Sequence, residues 1–141
     1  MKQKLYNKAI AILLVVSMVL LTVLVPGGPV ETRDFSHISP NVLQNFNIFL
    51  TSTGIISLLI LFFIFKKLRW SYLVAFLCGL SYFCVYILDL AKIFPVSPSK
   101  MPTALFIIEV VGTIISIPLM FLSLKSFINF HSTTEKSAVK T

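Results

Sequence analysis

Four apolar runs, each about as long as a lipid bilayer is thick, constrain this chain more than anything else in it. They cover 9–25 (AIAILLVVSMVLLTVLV), 48–65 (IFLTSTGIISLLILFFIF), 70–88 (WSYLVAFLCGLSYFCVYIL) and 103–124 (TALFIIEVVGTIISIPLMFLSL). A helix needs roughly 20 apolar residues to cross a hydrocarbon core of about 30 Å. Within lipid the backbone must satisfy its own hydrogen bonds, so such runs form helices. Strands of a membrane barrel would alternate polar and apolar residues, and these runs do not. Only 12% of the chain is charged and 57% is hydrophobic, about half the charge of an ordinary soluble domain. A chain so poor in charge has too little polar surface to face water on all sides. The expected fold class is therefore all-α: a polytopic protein of the cell membrane with four transmembrane helices in one bundle.

Basic residues set the expected threading. Lys2, Lys4 and Lys8 precede the first run, Lys66, Lys67 and Arg69 join the second to the third, and Lys125, Lys136 and Lys140 come after the fourth. The opposite side holds only Arg33, Lys92 and Lys100. Nine against three, alternating as four spans require, places both termini in the cytoplasm, N-in and C-in. Residues 1–8 then form a cytoplasmic N-terminus, 9–125 the transmembrane domain with a long outer loop at 26–47, and 126–141 a cytoplasmic tail expected to be disordered. The first run reads as an uncleaved anchor rather than a signal peptide, since VPGGPVETR offers no small-x-small cleavage site. Within the outer loop, 40–46 is expected to form a short helix lying on the membrane. The net charge of +7 is explained by this topology. No basic stripe or binding motif accompanies it, so nucleic acid is excluded as a partner. Cys78 and Cys84 stand about 9 Å apart along one helix, too far to bridge.

One residue breaks the apolar pattern. Glu109 lies six positions into the fourth run, roughly 9 Å below its outer edge. A carboxylate at the bilayer centre costs on the order of 3 kcal/mol, and less at this depth. Helical spacing puts Gly112, Thr113, Ser116 and Met120 on its face, so this stripe should turn inward. In the third run Asp89 shares a face with Ser71, Ala75, Cys78, Tyr82 and Tyr86. Asp89 can pair with Lys92 at i,i+3. Glu109 is expected to meet a cation from Lys92, Arg33 or Lys100, with a hydrogen bond from Tyr82 or Tyr86. These residues form a candidate intramembrane ion-pair site, structural or functional. The loop residues Glu31, Arg33, Asp34 and His37 form a second candidate. The first run carries no polar face, and the Phe62–Phe63–Phe65 end of the second should face lipid or a partner.

No phosphate-binding loop, nucleophile elbow or zinc signature occurs, and no residues at ligand spacing imply a metal or other cofactor. Three function classes remain. The first is an accessory, sensory or immunity-type protein acting through other membrane proteins. The second is a small oligomeric transporter or channel subunit using Glu109 and Asp89. The third, least supported for want of a catalytic constellation, is a membrane enzyme acting on a lipid or quinone. The expected partners are the bilayer and another membrane protein or a second copy.

Overall fold

In the computed structural model the described residues are 2–26 and 28–138, with side chains described through 130. They form four α-helices, α1 Lys2–Leu24, α2 Pro40–Phe65, α3 Arg69–Leu90 and α4 Thr103–Ala138. All four are long and apolar enough to cross a membrane. α3 packs chiefly on α4, α1 touches all three others, and α2 touches α1 and α3 but not α4. The chain thus runs up and down around a ring. The connections 25–39 and 91–102 lie at one end, the loop end. The α2–α3 turn and α1's N-terminus lie at the other, the terminal end.

Each helix buries a stripe of residues at steps of three or four. α1 buries Asn7, Ile10, Leu14, Ser17, Leu21 and Leu24. α2 buries Leu50, Thr53, Ser57, Ile60 and Ile64. α3 buries Ser71, Ala75, Cys78, Tyr82, Tyr86 and Asp89, and α4 buries Leu105, Glu109, Gly112, Ser116, Leu119, Ser123 and Ser126. This spacing suits helices crossing near 20° with interlocked side chains. The seam is unusually polar, whereas Ile12, Leu59, Phe62, Ile114 and Phe121 point outward. Water would favour the reverse arrangement. Small and hydroxyl residues inside let helix backbones approach closely when the surroundings are as apolar as the side chains. Three of the buried hydroxyls are met locally: Thr53 donates to the Phe49 carbonyl (2.9 Å), Ser57 to that of Thr53 (2.8 Å) and Ser116 to that of Gly112 (2.7 Å), whereas those of Ser17, Ser123 and Ser126 have no partner.

Several boundaries differ from expectation. Residues 40–46 make no separate surface helix; Pro40 opens α2 after Ser39, where proline's fixed φ and missing N–H suit a first turn. The stretch 126–138, expected as a disordered tail, continues α4, while 139–141 lie outside the described residues. Residues 126–130 of this continuation pack against the bundle. Ser126 is buried, the Arg69 guanidinium lies 4.5 Å from the Phe127 ring centroid, and Phe130 sits 6.2 Å from Tyr72. Phe62 and Phe65 face outward, but Phe63 turns onto Trp70, 4.8 Å between centroids.

Cys78 and Cys84 are free, the first buried and the second exposed. α1 begins at Lys2, before the first apolar run, and so brings in a buried polar residue that the run does not contain. Asn7 is buried, donates to the Ile64 carbonyl (3.0 Å) and accepts from Tyr72 (2.9 Å) and Gln3 (3.0 Å). It ties α1, α2 and α3 together at the terminal end. Counting the first eight residues as a charged flank hides it; its three-residue step to Ile10, in register with Leu14 and Ser17, is the available signal.

Candidate functional site, an arginine shared by buried acids

The loop end of the bundle holds a cluster built from three elements. Arg33 enters from the α1–α2 connection with its side chain only 4% exposed. Its Nε and Nη2 donate to both oxygens of Glu31, the Nε bond at 2.8 Å. Its Nη1 and Nη2 donate to both oxygens of Asp89, at 2.8 and 2.6 Å. The guanidinium therefore grips two carboxylates at once, a geometry that its planar fork permits and a lysine ammonium does not. Phe35, itself buried, lies against it with 5.3 Å from the guanidinium carbon to the ring centroid. Burial alone would weaken the charge of Arg33. The hydrogen bonds to Glu31 and Asp89, and their charges, outweigh that and raise its pKa above the ordinary arginine value.

Asp89 is placed by the end of α3. Lys92 N–H bonds the Asp89 carbonyl (2.8 Å) and Ile93 N–H bonds that of Leu88 (2.9 Å). Lys92 has a φ of 55°, the left-handed residue that closes such a helix end. The expected i,i+3 pair of Asp89 and Lys92 is therefore absent. The helix stops at Leu90, Lys92 leaves its face and is exposed, and Arg33 takes the carboxylate instead.

Glu109 is 1% exposed and its Oε2 has no hydrogen-bond partner. It faces the cluster, within electrostatic reach of Asp89, Arg33 and Glu31. None of the expected cations pairs with it directly. Lys92 and Lys100 are exposed, and Arg33 is taken by the other two acids. The expected tyrosine contacts go elsewhere as well. Tyr82 hydroxyl shares a 2.6 Å bond with Ser57, and Tyr86 hydroxyl reaches the Ser17 carbonyl at 3.4 Å. Tyr86 instead lays its ring over Gly112, one turn from Glu109. A Cβ built on Gly112 would stand 2.5 Å from Cε2 of that ring.

The second candidate, the loop set, divides. Glu31 and Arg33 join Asp89 in the cluster above. Asp34 stays at the surface, accepting from the backbone N–H and the hydroxyl of Ser36 (2.9 and 3.1 Å). Those bonds hold its carboxyl below the usual range. Its carbonyl accepts from Ser97 (2.7 Å), which fastens the 91–102 connection to the first loop. His37 is exposed and joins neither group. One site thus replaces the two expected.

No curated protein and no solved structure matches the chain. A family model described as a domain of unknown function, DUF8051, matches residues 6–139, nearly the whole chain, and the chain belongs to that family.

Proposed function

We propose that this is a small integral protein of the cell membrane, crossing it four times with both termini cytoplasmic, that works by binding another membrane protein along α2. The observation that carries the reading is a polar face on α2 that the bundle leaves uncovered. Thr51 and Ser52 are exposed. They line a groove of about 500 Å³ with Gln44, Asn47 and Ile48. Asn47 Oδ1 is shielded from water yet has no partner. A second groove of about 310 Å³, over Gly54 and Met18, continues the same face toward the α1–α2 seam.

Depth decides whether this face meets lipid. α2 has 26 residues, about 39 Å against a core of about 30 Å. If the whole excess projected at the Pro40 end, Thr51 would still sit roughly 8 Å inside the core. Hydroxyls at that depth favour a neighbouring helix with small or hydrogen-bonding residues, because lipid tails offer them nothing, and the unpaired Asn47 amide, about 2 Å inside the core on the same count, adds an acceptor at its edge. α2 is also the helix not packed on α4, which leaves its outer side open.

The test is a photo-crosslinking amino acid placed at Ser52 or at Leu77, an outward apolar position on α3, combined with purification in mild detergent. The reading expects one stoichiometric membrane-protein partner, crosslinked from position 52 and not from position 77. Lipid adducts alone at both positions would end it.

A further inference from the structure

Glu109 has a deficit that the cluster around it does not fill. The charged and titratable groups facing it are Glu31 and Arg33 from the α1–α2 connection and Asp89 with Tyr86 from α3. Tyr82, one turn below Tyr86, has its hydroxyl engaged by Ser57. α1 brings Ser17, which is not titratable. Three carboxyls therefore share one guanidinium, and full ionisation would leave two negative charges uncompensated. Arg33 spends its fork on Glu31 and Asp89, so the Oε2 of Glu109 remains bare in a place that water does not reach. A buried polar atom without a partner is costly, and a buried unpaired charge more so.

A metal ion does not fit the deficit. Among the described residues no three His, Cys, Asp or Glu side chains converge closely enough to ligate one. Tyr86 lies against Gly112 and Gly79 against Leu119, and this antiparallel register of α3 and α4 sets Asp89 opposite Glu109. Two carboxyls in that relation are joined by a proton, as in paired catalytic acids. The geometry points to a proton-binding site: Glu109 carries one exchangeable proton, hydrogen-bonded to Asp89, with Arg33 as the fixed counter-charge. In the protonated site a Glu109 O–H donates to an Asp89 oxygen. On release the proton passes to water at the loop end, beside Asp89. Glu109 then carries a full charge and competes with Glu31 for Arg33. Since Arg33 fastens the 25–39 connection to α3, proton loss would loosen that connection. The site does not depend on a partner along α2, and either proposal can fail alone.

Infrared difference spectroscopy of the full chain in lipid nanodiscs tests it. Surface carboxyls are ionised by about pH 6. Above that pH the wild type should show a protonated-carboxyl C=O band that shifts in D2O and is lost as the pH is raised further. Glu109→Gln should abolish the band, Asp89→Asn should shift it, and Glu31→Gln should leave it in place. Absence of the band in the wild type at every pH above 6 would overturn the proposal, whether or not any variant folds. So would a band that persists unchanged in Glu109→Gln.

Discussion

A methyl group added at Gly112 would meet the Tyr86 ring at 2.5 to 2.9 Å, and a ring held between α1 and α4 has little room to retreat. Gly112→Ala should therefore cost about 1–3 kcal/mol, the usual range for overpacking a core, read as a lower unfolding midpoint in detergent. Tyr86→Leu in the same chain should recover part of the loss; strict additivity of the two changes would refute the contact. Gly54→Ala offers the contrast, since its added carbon meets only Met18 Cγ at 3.7 Å and should be tolerated. The Glu109 stripe and its inward direction are legible in the sequence, because 3.6-residue periodicity alone decides which side chains share a face. The cation that Asp89 meets is not. Arg33 lies 56 positions away in the chain from Asp89, and Lys92 is nearer in sequence but past the end of the helix.

At the scale of the elements, α2 and α3 end alike. Lys67 and Lys92 both take a left-handed backbone (φ 57° and 55°). Leu68 N–H bonds the Phe63 carbonyl (3.2 Å), as Ile93 N–H does that of Leu88 (2.9 Å). Helix ends of this kind favour glycine, which has no Cβ to crowd the carbonyl. Lys92→Gly should accordingly stabilise the fold, by about 1 kcal/mol at most, seen as a higher unfolding midpoint. Destabilisation instead would show that the Lys92 side chain makes a contact worth more than the backbone strain. The runs ending at 65 and 88 mark these ends closely, at Phe65 and Leu90, but the left-handed residues that close them are hidden because lysine stands where glycine is favoured. The start of α2 is legible in Ser39–Pro40, yet 40–46 reads as a separate helix because it is less apolar than the remainder of α2.

At the scale of the molecule, the inverted pattern, hydroxyls inside and large aliphatics outside, fits a bundle bathed in lipid. Orientation is checked with the chain stripped of Cys78 and Cys84 by alanine and given one cysteine at a time. An impermeant maleimide should label His37→Cys on intact cells and Lys67→Cys only after permeabilisation; the opposite result would reverse the threading. The apolar runs by themselves determined the number of helices and the inward stripes of α3 and α4, because hydrophobic length and helical period are local properties of the chain. The tertiary structure alone decided that Arg33 crosses to Asp89, that Asn7 joins three helices, and that Glu109 is buried with a bare oxygen. Each depends on residues far apart in sequence being brought together, where burial and hydrogen-bond geometry, rather than spacing along the chain, select the partner.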